Sequence, residues 1–167
     1  LRATKDERLA AYVAHLKSAE LPQARDLLWD LVLGCPEPKE ARDLTNRLAD
    51  LERLLALKRR FLDRVGARED PAPVIPISAS RSYHVESGDA VRLVAAPYEG
   101  DKRNGPPNPW LWADLSPAQL VQVLEQSPAT GLTLAGLAAY ARECCLEDDT
   151  HRLVWRLYGG GSAGNAA

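Results

Sequence analysis

Apolar residues recur every three or four positions through the first part of the chain, which is the spacing of one face of an α-helix. This pattern predicts one helix over about residues 6–19, a second over residues 22–34 and a long third over residues 39–66. The connection between the first two is short, so they should form an antiparallel hairpin.

The predicted third helix carries the longest apolar seam in the chain. Leucines and valine keep an alternating four-and-three spacing along it, and only Lys58 interrupts the pattern. Leu54, Leu57 and Phe61 widen the seam beyond what the first two helices can cover. We therefore expect this helix to keep apolar surface for a partner, and a coiled-coil dimer is one form that such contact could take.

Shorter alternating patterns follow a proline-rich segment that starts near residue 71. Ser87-Gly88-Asp89 is typical of a turn between two strands, which predicts a β-hairpin. Residues 98–109 are rich in proline, glycine and asparagine, which predicts an exposed loop before a short strand over residues 110–112. About three short strands are expected in all.

Helical patterns return after this β segment. Ser116-Pro117-Ala118-Gln119 combines an N-cap serine, an early proline and a capping-box glutamine, so a helix should begin there. Apolar spacing then predicts one helix from about residue 134 to 145 and another, capped by Asp148 or Asp149, that bears Leu153, Val154 and Leu157. Residues 159–167 have the composition of a flexible linker or tail.

These elements predict a mainly α fold with a small antiparallel β insert, hence an α+β class with helical hairpins and one long helix. The predicted parts are an N-terminal helical hairpin with the long helix over 1–70, a small β module over 71–115, C-terminal helices over 116–158 and the tail over 159–167. A chain that starts at Leu1 and has no methionine is expected to be a piece of a longer polypeptide.

Composition narrows the function classes. Of 167 residues 46% are apolar, and the formal net charge is only -2, without a basic stripe, so we expect no nucleic-acid binding. No apolar run is long enough to span a bilayer, so no membrane span is expected in this segment. Three cysteines make a poor disulfide framework, which favours a reducing, cytoplasmic compartment.

The sequence offers little for catalysis or for metals. Cys144, Cys145 and His151 are its one cysteine and histidine cluster, but adjacent helical residues point about 100° apart, so both sulfurs could hardly bind one ion. No nucleophile elbow or phosphate-binding loop occurs. We therefore predict no catalytic residues, no cofactor and no metal ligands.

Aromatic residues are the stronger candidates for a contact surface. Trp110 and Trp112 are two positions apart on a predicted strand, so both should project from one face, next to the loop that begins at Tyr98. Tryptophan is enriched at the energetic centres of interfaces. The alternative is that both tryptophans belong to the core.

Some helical segments resemble tetratricopeptide repeats. Ala24, Leu28 and Pro36 are similar to the second half of such a repeat, while residues 134–140 and 152–158 resemble its first and second helices. A strand, a proline-initiated helix and a small-residue hairpin also resemble β-plus-repeat modules of large bacterial multidomain proteins. The resemblance implies scaffolding or partner binding, and it implies no catalytic residue.

The preferred function is thus a non-enzymatic protein-interaction or scaffolding module of a larger polypeptide, with a protein partner or a second copy of itself. One alternative is a ligand-binding or enzymatic domain, whose pocket between the β insert and the C-terminal helices would use Tyr83, His84, Trp110 and Trp112. A weaker alternative is an anion or nucleic-acid binder that uses the basic residues from 58 to 68.

Overall fold

The structure, a computed structural model, describes residues 4–69, 71–128 and 130–159. Within these ranges the helices are α1 (Lys5–Lys17), α2 (Leu21–Leu33), α3 (Pro38–Gly66), α4 (Pro117–Glu125), α5 (Gly131–Glu143) and α6 (Glu147–Gly159). The strands are β1 (Val74–Pro76), β2 (Arg81–Gly88), β3 (Arg92–Glu99), β4 (Lys102–Arg103) and β5 (Asn108–Leu111). The predicted α+β class is confirmed, and the sheet has five strands where about three were expected. From residue 160 onwards the predicted tail lies outside the described residues.

Two helices start at capping boxes, each formed by two residues three positions apart. Before α1, the Glu7 backbone N–H donates to the Thr4 hydroxyl at 3.3 Å, and the Thr4 N–H donates to the Glu7 carboxylate at 2.6 Å. Ser116 and Gln119 repeat the arrangement before α4, at 3.2 and 3.0 Å. Each pair satisfies two backbone donors that a helix end leaves unpaired.

The last helix starts differently from the prediction. The sequence predicts Asp148 or Asp149 as its cap, but α6 begins at Glu147, so both aspartates lie inside its first turn. Carboxylates there stabilise the helix by facing the positive end of its dipole.

The helices form a stack with α3 near its middle. The α1–α2 hairpin packs on α3, α3 packs on α5, and α5 packs on α6. The sheet and α4 lie beside the C-terminal half of α3, where Phe61 meets Trp112 with ring centroids 5.8 Å apart. One hydrophobic cluster therefore includes side chains from both the helical and the β segments.

The expectation that α3 keeps apolar surface for a partner is wrong. Leu54, Leu57 and Phe61 are only 1%, 0% and 0% exposed. α5 crosses so closely here that a Cβ on Gly136 would lie 2.7 Å from the Asp50 carbonyl oxygen. The chain's own elements cover the seam because α3 lies inside the stack, with neighbours on several sides.

The sheet is antiparallel throughout. β1 pairs with β2, β2 with β3, and the two halves of β3 pair separately with β5 and β4. The predicted hairpin is confirmed as β2 and β3, with a bulge at Glu86. The predicted loop over residues 98–109 is wrong in part, because Gly100, at φ 58°, lets the chain turn back as β4.

The two tryptophans after this hairpin do not share a strand. β5 ends at Leu111, whose N–H donates to the Asp114 carboxylate at 2.9 Å, and Trp112 begins a 3₁₀ helix, Trp112–Asp114. Trp110 packs on Tyr83, with ring centroids 4.9 Å apart, whereas Trp112 packs on Phe61. The prediction of one face for both is therefore wrong, because the turn redirects the chain after Leu111.

Candidate functional site

Exposed apolar side chains gather along one face of α6. Val154, Trp155 and Tyr158 are 39%, 71% and 85% exposed, and exposed His151 continues their line. These four residues, the outer stripe, have the i, i+3, i+4, i+7 spacing of one helical face and extend over about 11 Å at 1.5 Å per residue.

The opposite side of α6 attaches it to the rest of the molecule. Leu153 is fully buried and Leu157 is partly buried against the core. Arg152 and Arg156 both donate to the carboxylate of Glu125 at the end of α4. α6 is therefore apolar on two sides, of which the protein covers one.

Two further features lie at the two ends of the α5–α6 hairpin. Leu132, 65% exposed, lies in the first turn of α5, and the short link between α5 and α6 makes the helices antiparallel, so Leu132 and Tyr158 belong to the same end of the hairpin. At the other end, the exposed carboxylates of Glu147 and Asp148 form no ion pair with any described residue. The apolar surface thus has one acidic end.

A second candidate site is formed around Lys58, the residue that interrupts the α3 seam. Lys58 is only 6% exposed. Its Nζ donates to the carbonyl oxygen of Ala90 at 3.1 Å and lies 4.2 Å from the centroid of the Trp112 ring. The Trp112 indole N–H in turn donates to the carbonyl oxygen of Asp89 at 2.9 Å. Lys58 and Trp112 together join α3 to the turn between β2 and β3.

Burial lowers the pKa of Lys58 to about 8, and the negative charge of Asp89 opposes this shift. Among the described residues, no carboxylate oxygen lies within the 4.0 Å of Nζ that defines an ion pair. The Asp89 carboxylate instead accepts the backbone N–H groups of Val91 and Arg92 at 2.8 and 2.9 Å, which lowers its own pKa. Lys58 is consequently a buried cation without a counter-ion in the described chain.

A cleft of about 330 Å³ opens beside this lysine. It lies between the α1–α2 connection with the start of α2, the turn before β3, and the end of β5. Its walls include Ala19, Glu20, Pro22, Lys58, Val91, Leu111 and Trp112, and we name it the Lys58 cleft. Val91 and Leu111 are 66% and 48% exposed, so apolar surface is accessible next to a buried ammonium group.

The remaining predicted site residues do not converge on one surface. Tyr98 is half-buried and stacks on His84, with ring centroids 3.8 Å apart. Tyr83 neighbours His84 on β2 and so projects to the other face, where it meets Trp110. Tyr83, His84, Trp110 and Trp112 thus do not form the predicted pocket between the β insert and the C-terminal helices.

The basic end of α3 is divided in the structure. Lys58 is buried, and Arg64 donates to backbone carbonyl oxygens of Gln126 and Pro71 and pairs with Glu69. Arg59, Arg60 and Arg68 are exposed. Arg64 thus ties the end of α3 to the segments around α4 and β1.

The cysteines differ in their surroundings. Cys144 is buried, and burial raises the pKa of its thiol to about 11, whereas Cys145 and His151 are exposed. In the described ranges, no group of three or more histidine, cysteine, aspartate or glutamate side chains could hold a metal ion.

None of the described helices combines the length and apolar composition needed to cross a membrane.

The sequence predicts Lys58 only as part of a basic anion-binding segment over residues 58–68, and it assigns the apolar residues of α6 to no site. The available signals were a lone charge in an apolar seam and the spacing of Trp155 and Tyr158. Comparisons of the chain with protein-family models, curated proteins and solved structures give no match.

Proposed function

We propose that this chain is a non-enzymatic protein-interaction or scaffolding module, and that the outer stripe of α6 binds an amphipathic helix of a protein partner. The observation that carries the proposal is the exposure of Trp155 and Tyr158 on a helix whose other side is already packed. Aromatic side chains of this kind bury about 150–250 Å² each when they are covered.

The stripe is suited to a helix in particular. Its residues follow one straight ridge along α6. α5 already packs on the other side of α6, and a partner helix could pack on the outer stripe in the same way. The resemblance of residues 134–140 and 152–158 to repeat helices supports the same partner, because such repeats stack helix on helix. Exposed Glu147 and Asp148 favour a partner helix with a basic end.

The test is a selection of helical peptides from a displayed library against the whole chain, followed by affinity measurements on two variants. Trp155→Asp should weaken the selected peptides at least about tenfold, a loss of about 1.4 kcal/mol. Leu33→Asp makes the same change at a 78% exposed leucine on α2 and should alter affinity less than about twofold.

Two results would contradict the proposal. Peptides that bind both variants equally well would place the contact elsewhere on the molecule. A concentration-dependent dimer in analytical ultracentrifugation that Trp155→Asp dissociates would replace the partner helix with a second copy of this chain.

A further inference from the structure

A buried charge without a counter-ion is the least expected feature of this molecule. Lysine is rarely buried unless it is paired, because removing an ammonium group from water is costly. The Nζ atom of Lys58 donates one hydrogen bond, to the carbonyl oxygen of Ala90, and it lies over the face of the Trp112 ring. The two remaining hydrogens of Nζ have no acceptor among the described residues.

The carboxylates closest to the cleft are already committed to other groups. Asp89 accepts two backbone N–H groups, and its side chain lies 3.8 Å from Arg92. Glu20 lines the cleft, with its carboxylate 2.6 Å from Nδ1 of His15. Neither carboxylate forms an ion pair with Lys58, so a negatively charged group that enters the cleft would meet an ammonium group with no direct ionic partner among the described residues.

We propose that the Lys58 cleft binds a small monocarboxylate with an apolar body, whose carboxylate serves as the counter-ion of Lys58. The ammonium group, which lies over the Trp112 ring, forms the charged end of the site. Val91, Leu111 and Pro22 supply apolar walls. A volume of about 330 Å³ lies at the lower end of the range for small-molecule sites. Glu20 and Asp89 would repel a multiply charged anion more strongly, so the structure favours a single negative charge.

The probe is hexanoate, and hexanamide is the neutral control of the same shape. Binding to the whole chain is followed by NMR through the Val91 and Leu111 methyl groups and the Trp112 indole N–H, with the Leu33 methyl groups as an internal reference. Hexanoate should bind saturably and at least about tenfold more tightly than hexanamide, because only the carboxylate neutralises the buried charge. Equal affinities, or no saturable binding of hexanoate, would overturn the proposal.

Variants test the position of the site. Val91→Asp adds a negative charge at the exposed rim of the cleft and should weaken hexanoate at least about threefold, while Leu33→Asp adds the same charge on α2 and should have no effect. Lys58→Met should abolish the preference for hexanoate over hexanamide. Because the Val91 variant changes only an exposed residue, it remains informative if Lys58→Met does not fold, and unchanged binding to it would contradict the site.

The pH dependence gives a separate readout. Hexanoate affinity should be nearly constant between about pH 6 and 7, where the probe is ionised, and should fall by up to about tenfold per pH unit above pH 8, because Lys58 loses its charge there. The other charged groups facing Lys58 are Asp89 from the β2–β3 turn and Glu20 from the α1–α2 connection, and carboxylates ordinarily keep a constant charge over this range. An affinity that is constant up to pH 10 would contradict pairing with Lys58.

Discussion

α3 and α6 are both amphipathic helices, but the protein covers them very differently. Around α3 the fold covers the whole apolar seam and even the side chain of Lys58. α6 packs through Leu153 and leaves Trp155 and Tyr158 exposed. The difference follows from position: α3 lies inside the stack of helices, whereas α6 forms its outer layer with α5 on one side. An apolar pattern therefore indicates that a helix has a face to bury, and the position of the helix in the stack determines which face its neighbours bury.

The largest expected effect separates the two helices directly. Phe61→Ala should lower the free energy of unfolding by about 3–5 kcal/mol, because it removes a fully buried ring and leaves a cavity in the core beside α3. Trp155→Ala removes a larger ring from α6 but should change stability by about 0.5 kcal/mol or less, since most of that ring is exposed. Urea denaturation of both variants measures the difference. Similar losses would show that the outer stripe is already covered.

The second prediction concerns the charge on the covered side of α3. Burial lowers the pKa of Lys58 from 10.5 to about 8, so the ammonium group destabilises the fold in full below pH 8. Between pH 8 and 10.5 the unfolded chain binds more protons, and the contribution of Lys58 to stability therefore rises with pH. The free energy of unfolding of the wild type minus that of Lys58→Met should rise by about 1–3 kcal/mol across this range.

The free energy of unfolding is compared between the wild type and Lys58→Met because Cys144 changes the stability with pH in the opposite direction to Lys58. Burial raises the pKa of its thiol from 9.0 to about 11, so its contribution to stability falls as pH rises between these values. Both proteins contain Cys144, and its contribution cancels in the subtraction. A difference that does not change from pH 8 to 10 would contradict the buried charge on Lys58.

The last prediction, similar in size to the second, tests how closely α5 covers α3. Gly136→Ala should destabilise the protein by about 1–3 kcal/mol, because the added methyl group meets the backbone of α3 at Asp50 and pushes α5 away. Gly131→Ala, on the same helix, meets nothing within 4 Å and should be neutral or stabilising by up to about 1 kcal/mol. Thermal denaturation compares them, and equal effects would mean that the close approach of α5 is not required.

Much of the secondary structure could be predicted from the sequence. The capping boxes at Thr4 and Ser116 depend on residues three positions apart, so the chain determines them locally. The β2–β3 hairpin follows from its turn residues and its alternating pattern. β4 and the turn at Trp112 were missed, because a two-residue strand has almost no pattern and a carboxylate three residues further on ends β5.

The candidate sites were less accessible to prediction. The outer stripe is visible as spacing, but the same spacing is compatible with either side of α6 packing inward. The Lys58 cleft combines the α1–α2 connection with residues around 90 and 112, and no local pattern connects segments so far apart in sequence.

The sequence by itself determined where the helices start, the main hairpin of the sheet and the α+β class, because hydrogen bonds and side-chain spacing within a few residues decide these features. Only the tertiary structure decided that the α3 seam is closed, that the outer stripe of α6 is open and that Lys58 is buried without a counter-ion. Burial depends on which elements meet in space, and such contacts join residues as far apart in sequence as Leu16 and Tyr140.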